Sequence, residues 1–270
     1  MKKSVIKIIS TLFPGFMVKK AYEQLSNPQV RKLREHEIRV LDQAHKETVI
    51  FKGFKIQTYF WKGGDKKVLL VHGWEGQAGN FSDLIEKLLK NNYTVYAFDG
   101  PSHGFSSKGK TSLFEFTELV GVMIEKHDIS NIVSHSFGGV ATTFALYKNP
   151  QFDIKKYALL TTPDKFLERI EDVSQQVGIT QKVKEKLISK LEAETGVQPA
   201  KLNVSDFVKT IKVENALIIH DKNDKIVPIQ RSKNVQRNWR NCKFIEIEGT
   251  GHFRILRTDF VIDEVVAFLN

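Results

Sequence analysis

Cysteine is nearly absent from this chain. Cys242 is the only one, so no intrachain disulfide can form and no cysteine-based zinc site can be built. Both fit a reducing compartment, and we expect a cytoplasmic protein. No His-x-x-x-His pair or run of carboxylates offers another metal site, so neither metal nor cofactor is expected. An aromatic-interleaved basic motif, a zinc finger and an RNP-like segment are all missing, which argues against nucleic acid as a partner. There is no internal repeat and no low-complexity segment.

What is present is the composition of an ordinary soluble globular protein, 41% hydrophobic and 27% charged over 270 residues,. That length buries a full core as one large α/β domain with an insertion, or as two domains. The net charge of +10 is uneven: from Met1 to Lys67, 15 Lys or Arg stand against 6 Asp or Glu. The rest of the chain is close to neutral. A basic end on a neutral body suggests an anionic surface, or simply a solvated Lys-rich face.

Met1 to Phe13 alternate basic and apolar residues at helical spacing. Val5, Ile9, Leu12 and Phe16 share one stripe, with Ile6, Ile8 and Phe13 beside it, while Lys3, Lys7 and Ser10 face away,. The stretch is too short and too charged to span a bilayer. It is also a poor signal peptide, because Lys7 interrupts it, Pro14-Gly15 breaks it and no small-x-small site follows. Two readings stay open: residues 1–25 touch an anionic membrane peripherally, at its inner face, or they pack on the protein's own body.

Pro14 to Leu25 and Pro28 to Lys46 read as two further helices, each opening on a Pro. Thr48 to Phe51 and Phe54 to Trp61 read as a hairpin around Lys52-Gly53. Strands and helices then alternate, with short apolar strands at Val68 to Val71, Thr94 to Phe98, Ile129 to Val133, Tyr157 to Leu160, Ala216 to Ile219 and Lys243 to Ile247. Continuous apolar strands between helices predict an α/β fold with a mostly parallel sheet covered on both faces. About fifty residues, Thr162 to Lys212, lack a strand,. Phe166, Ile170, Val173 and Val177 form one amphipathic stripe there, and Val183, Leu187 and Leu191 another. An insertion at that point sits over the carboxyl edge of the sheet and reads as a lid. The expected organisation is a basic helical extension over 1–46, a core over 47–161 and 213–270, and the lid over 162–212.

The chemistry centres on Ser134-His135-Ser136-Phe137-Gly138, between a buried strand and a helix. This is close to G-x-S-x-G, with Ser134 in place of the first Gly,. A serine nucleophile needs a base, and the base needs an orienting acid. The candidates are His252, after the last strand, and Asp224, after the strand before it, in the order Ser136, Asp224, His252. Asp221 competes for the acid role. Asp164 is a weaker competitor because Thr162-Pro163-Asp164 resembles a helix start. The oxyanion donors are expected to be the N–H groups of Phe137 and of Trp74, in the Gly-rich loop His72-Gly73-Trp74-Glu75-Gly76. His135 and Phe166 are the substrate-binding candidates, although a satisfied buried histidine also explains His135. His72 reads as fixing its own turn.

Together Val71-His72-Gly73-Trp74, Asp99-Gly100-Pro101-Ser102-His103-Gly104-Phe105-Ser106, the Ser136 turn, Asp224-Lys225-Ile226-Val227-Pro228 and Gly251-His252 resemble the α/β-hydrolase superfamily,. More closely, the chain resembles esterase- or lipase-like bacterial members with a helical N-terminal extension and a Gly-His-x-x-Ile-Leu-Arg ending. The resemblance implies an eight-stranded, mostly parallel sheet and a Ser-His-Asp triad. It leads us to expect a serine hydrolase that cleaves a small-molecule carboxylic ester, acyl or lipid-like, through an acyl-enzyme. The alternatives are a thioesterase or lysophospholipase-like enzyme at the membrane surface, or a non-catalytic binding module on the same scaffold.

Overall fold

The computed structural model describes residues 3–30 and 32–270. Met1, Lys2 and the side chains of Lys3 and Val5, all part of the predicted amphipathic start, lie outside the described residues. Helix α1 (Lys3–Leu12) leads into α2 (Pro14–Ser26). The helix expected from Pro28 begins late, and only Glu35–Asp42 form α3. The cause is local: the Glu37 carboxylate accepts from the Arg34 N–H at 2.7 Å, a cap that starts the helix there,. Upstream, the Gln29 N–H is drawn to the Glu75 carboxylate at 3.3 Å.

The core alternates as the apolar pattern predicts. Strands β1 (His45–Phe51), β2 (Phe54–Trp61) and β3 (Lys66–Val71) precede helix α4 (Ser82–Lys90). Then come β4 (Tyr93–Phe98), α5 (Leu113–His127), β5 (Asn131–His135), α6 (Phe137–Lys148) and β6 (Ile154–Leu160). Three helices follow β6, namely α7 (Phe166–Val177), α8 (Gln181–Thr195) and the short α9 (Val204–Phe207). The chain closes with β7 (Val213–Asp221), α10 (Ile229–Asn238), β8 (Cys242–Ile247), α11 (Gly251–Arg254) and α12 (Asp259–Leu269).

All eight strands join one sheet in the order β1-β2-β4-β3-β5-β6-β7-β8. The β1–β2 and β2–β4 pairs are antiparallel; every other pair is parallel. The hairpin turns at Lys52 and Gly53, both with positive φ, which matches the twist of the strands it joins,. Side chains alternate across the sheet into two cores. Leu69, Val71, Ile132, Tyr157, Leu159 and Ile218 face α5, α6, α9 and α10. Val68, Leu70, Val133, Ala158, Leu217 and Ile219 face α3, α4 and α12. The six parallel strands therefore end at one rim, where the loops after β3, β5, β7 and β8 carry the residues singled out from the sequence.

Candidate active site

At the end of β5 the chain reverses into α6 through Ser136, whose backbone is held at φ 51° and ψ −119°. Such a conformation costs a non-glycine residue about 1–3 kcal/mol and persists only where the surroundings impose it. They do so here. The Ser136 N–H bonds to the Leu160 carbonyl at 3.0 Å and its own carbonyl accepts from the Gly139 N–H at 2.8 Å. Gly138 lets α6 approach β3, since a Cβ there would stand 2.4 Å from the Val71 oxygen and 2.5 Å from that of His72. Ser134, where the motif has its first Gly, is fully buried and its hydroxyl meets the Tyr157 hydroxyl at 2.9 Å. Gly139 leaves it room, as a Cβ there would lie 3.4 Å from the Ser134 Oγ.

The structure joins Asp224 and His252 directly. His252 Nδ1 lies 2.8 Å from Asp224 Oδ2. A carboxylate only accepts, so Nδ1 carries the proton and Nε2 keeps its lone pair. Neither His252 Nε2 nor Ser136 Oγ has a hydrogen-bond partner among the described residues. The other carboxylate oxygen of Asp224 accepts from the N–H groups of Ile226 and Val227, at 2.7 and 2.9 Å. Burial opposes the charge on Asp224, but bonds from His220, His252 and Val227 outweigh it and hold the carboxyl far below the usual range,.

Asp221, the competing acid, turns away from the imidazole. It accepts from the N–H and hydroxyl of Thr250 and from the N–H of Gly251 at 2.7 Å, fastening the loop that carries His252. Asp164 likewise has other partners, the Ser205 N–H at 2.8 Å and Asn234 at 2.5 Å.

His135 ties the serine turn to the histidine loop. Its Nε2 donates to the His252 carbonyl at 2.9 Å, and the two rings stand 4.9 Å apart. Burial, reinforced by the neighbouring His252, pushes its pKa down to about 3, so it stays neutral. The Gly-rich loop presses on the turn from the other side. A Cβ on Gly73 would lie 3.2 Å from His135 Nδ1 and 3.3 Å from the Ser136 Cβ. The rings of Trp74 and Phe137 meet edge to face at 5.1 Å. The N–H groups of these two residues have no hydrogen-bond partner among the described residues. Phe166 begins α7 and packs, half-buried, against the core cluster.

His72 and Asp99 hold the rim together. His72 Nδ1 donates to the Gly73 carbonyl at 2.8 Å, and its Nε2 accepts from the Gly100 N–H at 2.9 Å. Asp99 accepts from the N–H groups of Ala78 and Phe105, both at 2.8 Å, and from the Tyr59 hydroxyl at 2.9 Å.

One pair at the site escaped the sequence reading. His220 is fully buried, its Nε2 2.9 Å from the Val227 carbonyl and 3.5 Å from Asp224 Oδ2. Its Nδ1 meets the Ser232 hydroxyl at 2.6 Å, which in turn bonds the backbone of Thr162. The available signal was a polar imidazole closing the apolar run Leu217-Ile218-Ile219, where burial demands partners. Among the described residues no group of His, Cys, Asp and Glu is arranged to hold a metal ion.

The family described as the alpha/beta hydrolase fold matches residues 66–197. A pimeloyl-[acyl-carrier protein] methyl ester esterase of Xanthomonas campestris is 28% identical over 105 residues, 39% of this chain and 40% of the relative. A human serine hydrolase-like protein is 34% identical over 112 residues, 38% of this chain and 53% of the relative. The chain spans only 37–40% of the length of the first curated relatives that it matches. Among solved structures, Est1E of Butyrivibrio proteoclasticus with bound ferulic acid superposes with a TM-score of 0.66 at 17% identity. That match covers 83% of this chain and 97% of the other.

Proposed function

We propose, from the α/β-hydrolase fold and the family match over residues 66–197, that the chain is a serine hydrolase cleaving a carboxylic ester through an acyl-enzyme. The observation that carries this reading is the buried Asp224–His252 pair, its Nδ1 proton fixed at 2.8 Å, on the same rim as a strained Ser136. His252 Nε2 takes the proton of Ser136 as its oxygen attacks the ester carbonyl. Asp224 holds the imidazole in the required tautomer and stabilises the imidazolium. The N–H groups of Trp74 and Phe137 receive the oxyanion, each such donor being worth roughly 10²–10³ in rate. His252 returns the proton to the leaving alcohol, then activates the water that releases the acid.

In this reading α7 and α8 form the lid, and His135 and Phe166 lie on the way to the acyl group. Ester and thioester differ only in the leaving group, so the substrate panel should contain both. The deciding experiment is fluorophosphonate labelling with hydrolysis of a short-chain ester. The parent protein should label, and Ser136→Ala should lose labelling and at least about 10³-fold in kcat. Undiminished labelling of Ser136→Ala removes the nucleophile, and with it the mechanism.

A further inference from the structure

We propose that the outer face of the N-terminal helix pair docks on the surface of an anionic lipid bilayer. The pair is nearly one helix. Across Pro14 the Phe13 N–H bonds to the Ile9 carbonyl at 2.8 Å and the Met17 N–H to the Phe13 carbonyl at 3.2 Å. Pro14 sits at the first position of α2, where its missing donor is not needed,. The inner side has its partner. Ile6 and Ile9 pack with Met17 and Val18 on Val183 of α8, in a cluster separate from both sheet cores.

The outer side has none. Ile8, Leu12, Phe13 and Phe16 are each 59–66% exposed, four of the twelve large apolar side chains that the described residues leave open. Gathered within nine positions, they form a patch rather than the scattered exposure usual for a soluble surface. Around it stand Lys7, Lys19 and Lys20, all exposed and without an ion pair among the described residues. The first 26 residues carry five lysines against one acid, Glu23.

Charge selects the occupant. A second copy seated symmetrically on this face would bring one lysine set against the other, with Glu23 the one acid that either stretch offers,. Anionic headgroups meet the lysines while the acyl boundary takes the Phe, Leu and Ile side chains, which is how an amphipathic helix lies in an interface. No helix of the described residues is long and apolar enough to cross the membrane. The helix pair also leads to the rim at its far end. Helix α2 packs on α8, and Gln29 just beyond it bonds Glu75, the residue after Trp74. That consequence, an entrance facing the bilayer, rests on the hydrolase reading; the docking itself does not.

The test is flotation of the full chain with phosphatidylcholine vesicles, with and without phosphatidylglycerol, at low and high salt. The protein should float with the anionic vesicles at low salt and be released by high salt. Leu12→Ser/Phe16→Ser and Lys19→Glu/Lys20→Glu alter only exposed positions. Each pair should weaken partitioning at least about tenfold, with hydrolysis of a short soluble ester unchanged. Absence of binding, equal binding to neutral vesicles, or variants that partition like the parent would overturn the proposal. So would a lipid-free dimer that Leu12→Ser/Phe16→Ser splits into monomers, since the face would then be a self-contact. Soluble-ester hydrolysis is read separately, so a docking failure is distinguishable from a failure of the hydrolase reading.

Discussion

At the scale of single residues, the serine turn separates a glycine that is required from one that is replaceable. A methyl group on Gly138 would meet the backbone oxygens of Val71 and His72 at 2.4 and 2.5 Å, and neither strand nor helix can yield without moving Ser136. Gly138→Ala should lower stability by about 1–3 kcal/mol and kcat by roughly 10²-fold, measured by thermal unfolding and ester hydrolysis. Ser134→Gly restores the consensus yet removes the 2.9 Å partner of the Tyr157 hydroxyl, leaving it a 3.3 Å contact with the Gly139 carbonyl. The expected loss is about 1–2 kcal/mol of stability with kcat within a few-fold of the parent. His220 touches Asp224 and the Val227 carbonyl, so in the proposed mechanism it would act through them rather than on the reacting atoms. His220→Gln should reduce kcat about tenfold while KM stays put; a change confined to thermal stability would leave His220 a purely structural group.

At the scale of elements, the insertion is moored where the acid loop ends. Arg231, on α10, forks onto the Asp172 carboxylate of α7 at 2.5 and 2.9 Å. Half-buried bidentate pairs of this kind hold position better than they add stability. Arg231→Ala should free α7, raising KM for long-chain esters several-fold while kcat on a short ester changes little; a steady-state comparison of the two substrates checks this. The same scale shows what could be read from sequence. Val68 to Val71 and Ala216 to Ile219 announced their strands because each side chain faces one of two cores, a constraint that leaves a continuous apolar run. The loops that carry Ser136, Asp224 and His252 were legible because they follow β5, β7 and β8 in a fixed order. Residues 28–34 were misread because Pro28 marks a helix start by local chemistry, whereas Glu37 capping Arg34 and the tie from Gln29 to Glu75 decide the outcome. Ser232, paired with His220 across 12 positions, has no local pattern at all.

At the scale of the whole molecule, the buried imidazoles set the response to acid. Burial lowers the pKa of His72 well below its ordinary value, that of His103 to about 4 and that of His135 to about 3. Each is neutral when folded and takes a proton near pH 6.5 when unfolded. Between those values the unfolded state binds more protons, so stability rises with pH and falls on acidification. The loss begins below about pH 6.5, before the carboxylates contribute. Asp224 adds to it only lower down, as pH drops through the unfolded carboxylate range towards its depressed folded value. Three imidazoles withheld from protonation correspond to about 4 kcal/mol per pH unit, or roughly 5–10 °C in Tm per pH unit for a domain of this size. In a Tm series from pH 7.5 downwards the slope should set in below about pH 6.5 and slacken near pH 4, where His103 begins to protonate in the folded state. His103 donates Nδ1–H to the Pro101 carbonyl at 2.9 Å and leaves Nε2 unpartnered among the described residues. His103→Gln should therefore reduce the slope by about a third; an unchanged slope would mean that this imidazole is already protonated in the native fold.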